Sequence, residues 1–122
     1  MSEENVEMAR RLVDAWNRRD LELMLDLADS EIVFVNSPTA VEPGTRRGKD
    51  EVVAATKKQW EVLDARWEID ELFDRGDEIV IQGRLSRGMP DSDARLEQPL
   101  LVSYGFRNGK LIRAEILAFG SE

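Results

Sequence analysis

The sequence predicts an α+β domain in which three helices pack on a strongly curved antiparallel sheet. Three observations lead there. Helical spacing of apolar residues is confined to the first half of the chain, where a single β-branched run interrupts it. From about residue 66 the pattern changes to strands joined by tight turns, and Asn108-Gly109 is the strongest hairpin signal, because both central residues of a type I′ turn need positive φ.

Val6, Ala9, Leu12, Val13 and Trp16 recur at spacings of three and four, which places a first helix from about Glu4 to Arg18. Its acidic start and basic end suit the helix dipole. Asp20 has the short oxygen-bearing side chain of an N-cap, and Leu21, Met24, Leu25 and Ala28 form the face of a second, shorter helix. Ile32-Val33-Phe34-Val35 reads as a short strand ending at Asn36-Ser37-Pro38. Residues 37–48, with two prolines and two glycines, read as a long loop. Val52, Val53, Thr56, Trp60 and Leu63 then give a third helix that ends before Ala65.

In the second half, Trp67, Ile69, Glu71 and Phe73 alternate with Arg66, Glu68, Asp70 and Leu72. Arg75-Gly76-Asp77 turns the chain into a strand from Glu78 to Arg87, and 88–94 is a polar loop. Strands from Arg95 to Arg107 and from Lys110 to Phe119 complete the sheet. Counting outward from Asn108-Gly109, Phe106 faces Leu111, Tyr104 faces Arg113, Ser103 faces Ala114 and Leu101 faces Ile116. One face then carries Leu101, Ser103, Gly105, Ile112, Ala114 and Ile116, and the other Leu100, Val102, Tyr104, Phe106, Leu111 and Leu117. Helices cover one of these faces. A second subunit is the economical cover for the other, so a homodimer through the sheet is expected, with Val102, Tyr104, Phe106 and Leu111 as its contact face.

Composition narrows the function. A length of 122 residues fits one domain spanning 1–122. With 17 basic and 25 acidic side chains the net charge is −8, and no basic stripe offsets it, which argues against nucleic-acid and membrane partners. No window approaches the roughly 20 apolar residues of a spanning helix, and the N-terminus lacks the layout of a signal peptide; a cytoplasmic location is the expectation. The chain has no Cys and no His, so disulfides, zinc clusters, Ser-His and Cys-His couples and imidazole bases are excluded. No metal and no organic cofactor is expected.

Four strings stand in order and in register: Asp14-Ala15-Trp16-Asn17-Arg18-Arg19-Asp20, Gly44-Thr45-Arg46-Arg47-Gly48, Asp74-Arg75-Gly76-Asp77 and Asn108-Gly109-Lys110. In these the chain resembles SnoaL-like proteins of the NTF2-like superfamily over nearly its whole length. The resemblance implies a cone in which a bent sheet wraps around the helices, leaves an apolar pocket open at one end, and commonly dimerises. It also implies kinship with polyketide cyclases, ketosteroid isomerases and limonene epoxide hydrolases, whose site residues are compared one at a time. The position of the isomerase base corresponds to Asn36, which takes no proton, and that of the helix-one tyrosine to Leu12. An epoxide-hydrolase-like site finds Phe34 and Asn36 at the helper positions and Gln82 and Arg84 on a strand able to supply the arginine, but Ile116 where the last-strand aspartate belongs. Val35 stands where many SnoaL-like sequences have a histidine.

The candidate pocket residues are therefore Trp16, Phe34, Asn36, Trp60, Gln82, Arg84, Ser103 and Ile116. Trp16 is a pocket wall or a core residue. Asn36 shares parity with Phe34 and either orients a ligand or caps the turn before Pro38. Arg84 either binds an oxyanion or pairs with a local acid. Glu71, Glu97 and Glu115 are the remaining general-base candidates, with surface ion pairs as the alternative. Arg46 and Arg47 either gate an acidic ligand or are solvated, and Trp60 and Trp67 are read chiefly as core. Three functions fit: a cone binding a compact hydrophobic metabolite; a cyclase, isomerase or hydrolase with a relocated base; and an interaction module with a filled pocket. No catalytic residue is assigned.

Overall fold

A computed structural model of the chain describes residues 2–36, 43–89 and 91–119. The apolar stripe of α1 (Ser2–Asn17) buries Ala9, Leu12 and Val13, with Glu3 and Glu4 in its first turn. Arg19, at φ 61°, reverses the chain. Asp20 then caps α2 (Leu21–Leu27), its carboxylate accepting from the Leu23 N–H at 3.2 Å. β1 (Ala28–Asn36) starts four residues before the β-branched run, with a register irregularity between Ala28 and Val33. A short strand, β2 (Gly44–Arg47), lies inside the stretch expected to be loop, and residues 37–42 of that stretch are outside the described ones. α3 (Gly48–Leu63) follows, the Arg47 N–H donating to Glu51 at its start and Asp64 closing it in the left-handed region. β3 (Arg66–Asp74), β4 (Glu78–Gly88), β5 (Arg95–Arg107) and β6 (Lys110–Phe119) finish the chain.

All six strands form one sheet in the order β2-β1-β6-β5-β4-β3. Its β1–β6 pairing is parallel, so the sheet is mixed rather than wholly antiparallel. The two strands are distant in sequence, and no turn fixes their relative direction. α1 packs on β3 and β4, and α3 on β1 and β2.

Asn108 and Gly109 both have positive φ, as the type I′ turn requires, and Phe106 pairs with Leu111 as expected. Beyond that pair the register departs from a simple count. Gly105 pairs with Arg113, Tyr104 with Ala114, Ser103 with Glu115, Val102 with Ile116 and Leu101 with Ala118. Ile112 and Leu117 are taken up as bulges, and one extra residue reverses the side-chain parity of the strand beyond it. Ala114 and Ile116 thereby join Leu111, Tyr104 and Val102 on the inner face. A third bulge at Asp70 has the same effect in β3: Leu72 pairs with inward Ile81, while Glu71 pairs with Gln82, and Phe73 is exposed. Gly83 lies beside that bulge. A Cβ built there would stand 2.0 Å from the Glu68 carbonyl oxygen, so the close approach of β3 and β4 needs glycine.

The inner face meets the helices in a core where Ile79 and Ile81 are fully enclosed with Ala9, Val13 and Phe106. Each large aliphatic side chain removed from water there contributes about 1.5–3 kcal/mol. Polar clamps fix the helices. The Asn17 amide accepts from the Trp67 N–H at 2.8 Å and donates to its carbonyl at 2.6 Å, tying α1 to β3. The Arg19 guanidinium lies 5.7 Å from the Trp16 ring and 5.3 Å from the Trp60 ring, and donates to the Ala65 carbonyl and the Asp64 carboxylate. Arg95 holds the same carboxylate at 3.1 Å, and this hydrogen bond is the main reason the Asp64 carboxyl sits below the usual range. No helix among the described residues is long and apolar enough to cross a membrane.

Candidate functional site

α3 reaches the sheet at β1 and β2, and the space between α3 and the inner face of β4, β5 and β6 is a cavity of about 470 Å³. Leu12 and Trp16 of α1 and Leu21, Met24 and Leu25 of α2 bound one side. Ile32, Phe34 and Asn36 come from β1, and Val52, Val53, Thr56 and Gln59 from α3. The sheet contributes Trp67, Leu85, Leu100, Val102, Tyr104, Leu111, Ala114 and Ile116. The bulge at Ile112 is what turns Ala114 and Ile116 toward this space.

Polar groups in this wall are few. Tyr104, the chain's single tyrosine, is 7% exposed, its ring edge-on to Trp67 at 6.0 Å and to Phe106 at 6.4 Å. Its hydroxyl has no hydrogen-bond partner among the described residues, and burial pushes the phenol well above its ordinary pKa. Thr56, Gln59 and Gln98 add neutral donors and acceptors. The charged residues that line the cavity are Arg46, Lys49, Lys58 and Arg87; no Asp or Glu is among the described lining residues. Nor do the described residues contain a cluster of carboxylates able to hold a metal ion.

Of the residues singled out from sequence, Trp16, Phe34, Asn36 and Ile116 line the cavity. Trp60 stands behind Trp16, their rings 6.0 Å apart at 61°, and does not line it. The indole N–H groups of Trp60 and Trp67 are buried without a partner. Gln82, Arg84 and Ser103 face outward, because the inward positions of β4 run 79, 81, 83, 85 and 87 and those of β5 are even-numbered. Arg84 takes up the structural alternative: it meets Glu68 at 2.7 Å, Asp70 at 3.1 Å and Glu97 at 3.7 Å. The hydrogen bond to Asp70 is the leading cause of its raised pKa. Ser103 donates its hydroxyl to the Glu78 carboxylate.

The face assigned to a dimer contact is also corrected. Val102, Tyr104, Phe106 and Leu111 are buried in the core beneath the helices, and three of them border the cavity. The base candidates lie elsewhere: Glu71 and Glu97 are exposed, and Glu115 pairs with Arg113 at 2.9 Å. Arg46 lines the cavity, whereas Arg47 contributes its backbone N–H to the start of α3. Sequence reasoning missed Tyr104, Thr56, Gln59 and Arg87 as lining residues. Arg87 was findable, since it shares strand parity with Leu85 and Ile81.

Three helices on a bent, six-stranded mixed sheet with this strand order define an NTF2-like cone. The chain belongs to the SnoaL-like domain family, whose model matches residues 9–114. Among solved structures it is similar to Bal32a from a soil-derived mobile gene cassette, at 18% identity and TM-score 0.87, covering 97% of this chain and 90% of that one. An NTF2-like protein of unknown function from Burkholderia pseudomallei is 23% identical with TM-score 0.81, covering 95% and 90%. A putative SnoaL-like polyketide cyclase from Jannaschia is 18% identical with TM-score 0.80, covering 96% and 86%. At these identities the likeness is one of fold. No curated protein matches the chain.

Proposed function

We propose that this SnoaL-like protein binds a compact, largely apolar metabolite inside the cone, with Tyr104 donating a hydrogen bond to a ligand oxygen and Asn36 adding polar recognition. The observation that carries the reading is an unpartnered phenol in the wall of a cavity with no described carboxylate. About 470 Å³ is within the range of roughly 300–1,000 Å³ usual for small-molecule sites. The Tyr104 hydroxyl borders the cavity without a described protein partner, which leaves its donor free for a ligand carbonyl or ether oxygen. Trp16, Phe34 and Trp67 offer flat surfaces to a ring.

The composition of the wall favours binding over proton abstraction. A general base must reach its proton within about 2.6–3.2 Å, directly or through one water, and the described wall offers no carboxylate for that role. The cyclase, isomerase or hydrolase alternative, which the family and the Jannaschia neighbour keep in view, would draw among the described lining residues on Tyr104 as a proton-bearing donor. The test is titration with 2-acetylnaphthalene, a neutral ring ketone, followed by tryptophan fluorescence. Saturable one-site binding that weakens several-fold in Tyr104→Phe is expected; no binding contradicts the reading. Self-association through the sheet uses the outward face, which carries the ion-paired Arg84 and Arg113 and where Phe73 and Leu117 are exposed. Sedimentation at micromolar concentration then gives twice 13.9 kDa, and a species of 13.9 kDa contradicts it.

A further inference from the structure

We infer that the ligand of this cavity is an apolar acid, ionised at neutral pH, and that Arg87 is the residue that holds its charge. The inference rests on the cavity reading above and adds a chemical class to it. Arg87 and Arg84 lie three residues apart on β4 and so on opposite faces of the sheet. Outside, Arg84 is surrounded by three carboxylates. Inside, Arg87 lines the cavity, half-buried, with no carboxylate partner among the described residues. The other arginines of β5 and β6 follow Arg84: Arg95 pairs with Asp64, Arg107 with Asp29 and Glu31, and Arg113 with Glu115.

The wall agrees with this single residue. In a chain with 25 acids and 17 bases, the four charged residues described at the cavity are all cations. A guanidinium does not shed its proton in a protein, and a half-buried one with no described carboxylate beside it is a ready partner for an anion. The described wall supplies none. An oxyanion on the ligand accepts two N–H bonds from the guanidinium fork, and its apolar body fills the space bounded by Phe34, Tyr104 and Ile116. Lys49, Lys58 and Arg46 extend the positive potential that draws such a ligand in.

The experiment compares 2-naphthoate with 2-naphthamide, which share shape and ring but differ in charge, by calorimetric titration of the wild type, Arg87→Gln, Arg87→Lys and the outward-face control Arg84→Gln. The wild type is expected to bind the carboxylate about tenfold or more tightly than the amide, the scale of one charge-assisted hydrogen bond. Arg87→Gln brings the ratio to about one, Arg87→Lys restores part of it, and Arg84→Gln keeps it. Equal affinities in the wild type, or a preference that survives Arg87→Gln, overturn the inference while leaving the binding cavity standing. Failure of both naphthalenes and of the neutral ketone to bind overturns the cavity reading itself.

Discussion

The two faces of β4, β5 and β6 treat polar groups in opposite ways. Outward, charge is matched: Arg84 sits among Glu68, Asp70 and Glu97, Arg113 beside Glu115, and Ser103 on Glu78. Inward, the Tyr104 hydroxyl and the Arg87 guanidinium have no described partner. Matched pairs on an exposed face contribute little to stability, whereas a group at a cavity wall without a protein partner is left for solvent or a ligand to satisfy. Ion-paired groups thus belong to the outer face, and the cavity wall presents a hydroxyl and a guanidinium without described partners.

The inner face is itself divided into a filled end and a hollow one, and substitutions separate them. The largest loss is expected for Ile81→Ala in the filled end, about 3–4 kcal/mol, because Ile81 is fully enclosed and its neighbours cannot close the gap. Ile116→Ala beside the cavity is expected to cost about 1 kcal/mol, since that side chain already borders open space. Urea unfolding measures both, and equal losses would remove the distinction. Gly83→Ala comes next, at about 2–3 kcal/mol, because its methyl group overlaps the Glu68 carbonyl and the Asp70 bulge must shift. An unchanged unfolding midpoint would mean that the bulge yields freely.

Those bulges mark the limit of what the sequence makes legible. β5 and β6 have the bounds that alternation and the Asn108-Gly109 turn predict, and the three helices lie where their apolar stripes place them. Counting by twos, however, cannot see an inserted residue. Ile112, Leu117 and Asp70 each reset the parity; the bulge at Ile112 is why alternation alone puts Tyr104 and Ile116 on opposite faces, while nothing in alternation says which face the helices cover. β2 is hidden by its length of four residues and its mostly exposed positions. The parallel β1–β6 pairing joins segments far apart in sequence, and no local signal records it. Sequence alternation points to Arg84 rather than Arg87 because Arg84 is interleaved with Ile81 and Leu85, although those two are the residues that point inward.

Smaller effects sharpen the contrast between matched and unmatched groups. Tyr104→Phe removes a hydroxyl that bonds to nothing described, so stability is expected to stay level or rise by up to about 1 kcal/mol. A loss beyond about 1 kcal/mol would reveal a partner. The same residue sets an alkaline limit. Burial raises the folded-state phenol pKa above its ordinary value of 10.0, so the unfolded chain releases this proton first and stability falls as pH rises past that value toward the folded pKa. With one tyrosine in the chain, phenolate absorbance is expected to appear only together with unfolding, and phenolate formed in the folded state near pH 10 would contradict the burial. Arg84→Gln, on an exposed and redundant ion-paired cluster, is expected to move the unfolding midpoint least of all.

The most direct test of the central claim is a crystal structure of the protein grown with 2-naphthoate. The account predicts one ordered molecule between α3 and the sheet, its rings against Phe34 and Ile116 and its carboxylate on the Arg87 guanidinium. Side chains closed across that space, or a ligand seated there with Arg87 turned to a protein carboxylate, would contradict it.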